Sequence, residues 1–190
     1  MIRRLLLILA VAGVLGAEIV PGRPPTAAEM RLVLSVPVFA RWSRIDGIDP
    51  SRGFTLVTTT STETQSFRIK AEYELQRPGK SRVSFLSDAE IYTTTGQAEK
   101  AFEGAIRGFR KGLARVEGAS LEEKQPILTM GDQHFAGVLK QDGKPLGNLF
   151  AFTQGRVLHT LIVYGIVSTR HSQVRELFAP IYDESRRQFH

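Results

Sequence analysis

Residues Phe67 to Leu75 read FRIKAEYEL. Phe67, Ile69, Ala71, Tyr73 and Leu75 take one side of a two-residue repeat, and Arg68, Lys70, Glu72 and Glu74 take the other. Successive side chains of a strand point to opposite faces, so the stretch predicts a strand with one dry and one wet side. Gly53 to Thr59 is its expected partner, with Ser61 to Thr64 in the turn. Downstream, Arg77, Pro78, Gly79 and Lys80 make a second turn. A strand over Arg82 to Tyr92 follows, with Leu86, Ser87 and Asp88 as the place for a bulge.

The next segment changes period. Ala98, Ala101, Phe102, Ala105, Ile106, Phe109, Leu113 and Val116 recur at spacings of three and four, opposite Lys100, Glu103, Arg107, Arg110, Lys111 and Arg115. That is an amphipathic helix that must pack on something. Gly104, Gly108 and Gly112 lie along one edge of its stripe. Each costs about 1 kcal/mol of helix propensity relative to Ala, which suggests close approach by a neighbouring backbone.

After Gly118 the pattern is an antiparallel meander. Its expected strands are Pro126 to Met130, His134 to Gln141, Pro145 to Thr153 and Arg156 to Val167. Asp142 and Gly143 are a strong hairpin signal, and Gln154 and Gly155 mark another turn. A final helix runs from near Ser168 towards Phe189 with Val174, Leu177, Phe178, Ile181 and Tyr182 inward, and Pro180 should kink or divide it. Near the start, Thr26 and Glu29 have capping-box spacing for a short helix over Ala27 to Ser35, which Pro37 stops or kinks. Arg41, Trp42, Ser43 and Arg44 are loop-like by composition.

The expected fold is therefore α+β: a largely antiparallel sheet of about six to seven strands, two main helices and a short N-terminal helix, in one domain over 26–190. The composition agrees, with 190 residues, 42% hydrophobic, 23% charged, 17 Gly, 9 Pro and no Cys. It disfavours collagen-like, disordered and disulfide-stapled chains.

Residues 1–17 read as a signal peptide, in which Arg3 and Arg4 precede an apolar run from Leu5 to Ala17, and 18–25 read as a linker. The run is 13 residues, short of the ~20 that cross a bilayer as a helix, so cleavage is favoured over retention as an uncleaved anchor. Localisation would then be extracytoplasmic, periplasmic or secreted. Without Arg3 and Arg4 the 25 basic residues become 23 against 19 acidic, a formal +4. The absence of Cys excludes thiol catalysis, thiolate metal sites and lipidation through a thiol. Asn148, the only Asn, is followed by Leu149 and Phe150, so no N-glycosylation acceptor exists.

Chemical motifs are sparse. Gly79, Lys80 and Ser81 imitate the end of a phosphate loop, but Glu74 stands where the first glycine belongs. Of His134, His159, His171 and His190, no two have the spacing of four that places two ligands on one helical face. Asp132 with His134 is the first pair to consider for a metal, against a simple turn at Gly131, Asp132 and Gln133. His159 alternates with Val157 and Leu161, which suits a hydrogen-bonded histidine of the core or sheet better than a base. No serine occupies a nucleophile elbow. Glu122 with Glu123 and Asp183 with Glu184 read as solvated surface. The basic side of the central helix, extended by Arg186 and Arg187, is a weak candidate for an acidic partner, and nucleic acid is disfavoured. Trp42 between Arg41 and Arg44 could anchor a partner or lipid headgroup, though capping the core is the favoured role.

Tyr92 through Ala101 and Phe102, then Gly131 and Asp132, then Phe152, Gly155, Arg156 and Val157 before an apolar strand and a last helix, resemble secreted bacterial α/β proteins of the PsbP/Mog1-like kind. The resemblance covers residues 53–189 and carries no site residue with it. It implies a sheet between helices and a non-catalytic accessory or binding role. The expectation is thus an exported, non-enzymatic binding or accessory protein of the cell envelope, working with a protein or envelope component and without cofactor or metal. The alternatives are a carrier of a lipid or apolar ligand, and a hydrolase or metalloenzyme using Asp132, His134 or His159.

Overall fold

The computed structural model describes residues 19–45, 48–49, 53–75, 82–124 and 127–189. The proposed signal peptide, the turn at residues 77–80 and Pro126 lie outside them. The strands are β1 (Ile19–Pro21), β2 (Phe54–Ser61), β3 (Ser66–Leu75), β4 (Val83–Ile91), β5 (Ala119–Glu123), β6 (Gln133–Gln141), β7 (Lys144–Gln154) and β8 (Val157–Tyr164). They form one antiparallel sheet in the order β1-β2-β3-β4-β8-β7-β6-β5. The α-helices are α1 (Val36–Ser43), α2 (Thr95–Leu113) and α3 (His171–Phe189). The fold is α+β with eight strands, more than the six to seven expected.

Both additional features come from pairing. Ile19–Pro21, expected as linker, is held as a strand by the outer edge of β2. The strand after Gly118 is Ala119–Glu123 rather than Pro126 to Met130, and Leu121 faces Leu139 across the β5–β6 ladder. Ile127 and Leu128 instead plug the core from irregular backbone. Asp142 and Gly143, with φ of 51° and 74°, form the expected two-residue hairpin. Register is continuous through Leu86, Ser87 and Asp88, so no bulge occurs there; the irregularity falls at Leu139/Lys140.

Thr26 and Glu29 do exchange the expected reciprocal hydrogen bonds, but the helix there is only a four-residue 3-10 turn, Glu29–Leu32, whose N-cap is Ala28. Pro37 does not end a helix; it lies in the first turn of α1, where its missing N–H is no loss. Trp42 is consequently helical, 9% exposed, and donates its indole N–H to the Gln173 carbonyl at 3.0 Å. α2 begins at a capping box between Thr94 and Gln97. α3 runs unbroken across Pro180, so the proline does not divide it.

Two faces divide the core. On the first, α1 stacks Phe39 against Tyr73 and Phe85, and α3 sets Phe178 against Phe150 and Phe152. Burial of each such ring contributes about 2–3 kcal/mol. On the second, Ile106, Phe109 and Leu113 of α2 pack on Leu86, Phe135, Leu139, Leu149, Ala151, Ile162 and Tyr164. α2 lies over β5, β7 and β8. Among the described residues, β2 and β3 therefore carry no helix on this second face. Arg110 pairs with Glu123 of β5 at 2.8 Å. Gly104 meets nothing within 4 Å, so no backbone approaches there and the expected close packing fails at that position.

Candidate functional site

The uncovered part of the second face is the wet side of β3 and its neighbours. Register places Arg68, Lys70, Glu72 and Glu74 beside Glu90, Asp88, Leu86 and Ser84 of β4, and beside Thr59, Val57 and Thr55 of β2. Charges are matched locally. Arg68 donates to Asp88, Lys70 pairs with Glu72 at 2.7 Å, Arg82 pairs with Glu74, and Ser66 donates to Glu90 at 2.6 Å. Burial alone would lower the Arg68 pKa, but the charge and hydrogen bond of Asp88 outweigh it and raise it. The Tyr92 phenol is pushed up by burial and then by Glu90.

At one end of this surface a cleft of about 410 Å³ opens among the start of β2, the end of β3 and the start of β4. Gly53, Thr55, Glu72, Glu74, Arg82, Ser84 and Leu86 contribute to its lining. Gly53 has a φ of +75° and a Cβ there would collide with the Glu74 carbonyl, so only glycine brings β2 this close. Gly165 does the same beside the Arg82 carbonyl as the chain leaves β8.

Two buried polar atoms of lining residues, Arg82 Nε and Ser84 Oγ, have no hydrogen-bond partner, and neither does the buried Tyr164 Oη, which belongs to the cluster beneath α2. Ser84 and Tyr164 are directly paired across β4 and β8, and each is 4% exposed. Burial raises the Tyr164 pKa, which keeps the phenol protonated and able to donate. A buried polar group without a partner costs about 1–3 kcal/mol. The charged and hydroxyl side chains of the lining make the cleft a place that can receive a hydrogen-bonding molecule.

The residues singled out from sequence are elsewhere. Asp132 accepts from Gly155 N–H at 2.8 Å, and its own N–H donates to the Thr153 carbonyl, so it fastens a turn. His134 faces Phe152 across β6–β7, and Phe152 faces His159 across β7–β8, so a phenyl ring separates the two imidazoles. His159 is buried, stacks on Phe152 with centroids 4.5 Å apart, and lies 3.1 Å from Ser185 Oγ. Burial depresses its pKa to about 3 against a hydrogen bond to the Leu32 backbone, so it is a neutral core histidine. Among the described residues no group of three His, Asp or Glu side chains could hold a metal.

Arg186 and Arg187 do not extend the basic side of α2, because α3 lies on the opposite face of the sheet. Glu184, expected at the surface, is 5% exposed and pairs with Arg187 at 3.1 Å. Glu122 does sit in a surface network, and its hydrogen bonds from Lys124 and Lys140 lower its pKa to about 2. Trp42 is core, not an exposed anchor. The reading of the sequence missed the Arg82 cleft, although the wet side of β3 already pointed at its floor.

No family model, curated protein or solved structure matches this chain.

Proposed function

We propose that the chain is an exported, non-enzymatic binding or accessory protein of the cell envelope, and that it binds through the uncovered β2–β3–β4 surface at the Arg82 cleft. The observation that carries the reading is the cleft of about 410 Å³ with charged and hydroxyl side chains in its lining, Thr55, Glu72, Glu74 and Arg82 among them. Binding is favoured over catalysis because the cleft lining contains no histidine to activate Ser84. Asp132 and His159 meanwhile hold a turn and the core. Export is supported by Arg3, Arg4 and the apolar run Leu5 to Ala17. Among the described residues no helix is long and apolar enough to cross a membrane. A lipid carrier is the weaker reading, since charged and hydroxyl side chains supply much of the cleft lining. The PsbP/Mog1-like resemblance agrees with an accessory role, and helices on both faces of a sheet are what it implies.

The test is affinity purification of the full chain from its native envelope, with mass spectrometry of co-eluting proteins and lipids. Thr55→Trp places a bulky ring on the exposed rim of the cleft, and Arg107→Trp places one on the outer side of α2. Loss of the co-eluting component with Thr55→Trp alone is expected. Retention with Thr55→Trp, or loss with Arg107→Trp alone, would overturn the assignment.

A further inference from the structure

The second face is stepped. α2 stands one helix diameter, about 10 Å, above β5, β7 and β8. Among the described residues β2 and β3 carry no helix there. A body that fills the lowered half to the level of the raised one is therefore one helix thick, and α2 of a second copy is such a body. The lengths agree. β3 has 10 residues, about 33 Å of strand. α2 has 19 residues, about 28 Å of helix. Turning a second copy over about an axis along the step brings its α2 onto the lowered half of the first, and the first returns the same contact.

Charge agrees as well. The exposed charges of α2 are Lys100, Arg107, Arg110 and Lys111 against Glu99 and Glu103, a formal +2. On the second face β3 and β4 carry Arg68 and Lys70 against Glu72, Glu74, Asp88 and Glu90, a formal −2 that Arg82 beside Glu74 reduces to −1. Lys100 and Lys111 have no ion-pair partner among the described residues. Opposite charge of this kind guides an encounter and fixes its register more than it adds affinity. Lys100, Gly104, Arg107 and Lys111 follow one another at spacings of three and four and share one ridge of α2. A Cβ at Gly104 would meet nothing within 4 Å, so the ridge has room for a neighbour there.

The footprint of α2, about 28 Å by about 10 Å, is about 280 Å². Two such contacts, with both copies counted, bury about 1,100 Å², at the threshold of about 1,000 Å² for a specific interface. An interface of that size forms and dissociates readily.

We propose that the chain forms a reversible two-fold dimer in which α2 of each copy lies across the β2–β3 half of the other, with Lys100, Arg107 and Lys111 over Glu72 and Glu74. The dimer requires only that this half be open, not that an envelope component bind it. Where both occur, the dimer covers the cleft until the component displaces it.

Sedimentation velocity of the full chain tests the dimer. The wild type should pass from monomer to dimer between about 1 μM and about 300 μM, and less readily at high salt. Lys100→Glu with Lys111→Glu, and Glu72→Lys with Glu74→Lys, should each remain monomeric where the wild type is dimeric. An equimolar mixture of the two should dimerise again, because both contacts of the mixed pair set bases against acids. Thermal unfolding checks that each variant keeps its fold, and if the Glu72→Lys, Glu74→Lys chain does not, Thr55→Trp replaces it as the block on the open half and must also be monomeric.

A wild type that stays monomeric throughout, loss of the dimer with only one of the two charge reversals, or a mixture of folded variants that fails to dimerise would overturn the proposal. Failure here leaves the envelope reading intact if Thr55→Trp still abolishes co-elution. Dimerisation with co-elution indifferent to Thr55→Trp leaves the dimer standing and ends the envelope role of this surface.

Discussion

The second face of the sheet has two halves built from the same antiparallel ladder and put to opposite uses. Over β5 to β8 it is covered by α2, and Leu149, Ala151 and Ile162 are buried without a polar side chain among them. Over β2 to β4 it carries Arg68, Lys70, Glu72, Glu74 and Glu90, with Val57 at 49% exposure in the middle. The covered half shows where stability is concentrated, and the open half shows what the protein leaves free for an encounter. Substitutions in the two halves should therefore differ in kind.

The largest effect belongs to the covered half. Leu149→Ala removes a fully buried side chain from beneath α2 and should lower unfolding stability by about 2–5 kcal/mol in urea titration. A loss comparable to that of a surface substitution would mean that α2 does not seal this half.

Next comes acid, which acts on the first face through His159. Its folded pKa of about 3 lies below the ordinary 6.5, so the unfolded chain takes up the proton first. The resulting stability is complete above pH 6.5 and is lost progressively as pH falls from 6.5 towards 3. Glu29, lowered from 4.5 to about 2 mainly by its hydrogen bond from Arg23, adds its own loss only below about pH 4.5. Between pH 6.5 and 4.5 the decline belongs to His159, and it should flatten in His159→Gln. An unchanged slope in that variant would contradict the burial of the imidazole.

Asp88→Asn should cost about 1–3 kcal/mol, because it leaves Arg68 without its charged partner, while the 27% exposure of the Arg68 side chain softens the loss. Lys70→Ala, at a more exposed pair, should cost no more than about 1 kcal/mol. The smallest effect is Val57→Thr, which should stay within about 0.5 kcal/mol. Thermal unfolding of the three variants would show whether the open half contributes through its Arg68–Asp88 pair or hardly at all.

Local signals account for what could be read in advance. The two-residue alternation of β3, the Asp142–Gly143 hairpin and the three-and-four stripe of α2 are each complete within a short window, and all three are present. β1 could not be read that way, because three residues become a strand only by pairing with Thr59 to Ser61. β5 escaped because an edge strand needs few inward residues, and Leu121 supplies most of its apolar contact. Pro37 was misread because a proline that opens a helix and one that ends it look alike without the following packing of Phe39.

The cleft was hidden for a similar reason. Thr55, Glu72 and Leu86 are distant in sequence, and only the β2–β3–β4 register sets them side by side. Arg82 looked like part of a turn, and nothing local distinguishes a serine that finds a partner from one that does not. His159 was readable as a core residue from its alternation with Val157 and Leu161, whereas its bond to Ser185 needed α3 in place.

Carboxyl footprinting tests the division of the second face most directly. Carbodiimide labelling of Glu72 and Glu74, whose side chains are 43% and 46% exposed, would be compared with that of Glu103 at 60%, with and without native envelope extract. Labelling at Glu72 and Glu74 should fall in the extract while Glu103 is unchanged. Protection of Glu103 with Glu72 and Glu74 still reactive would contradict the account, placing the encounter on the covered side instead.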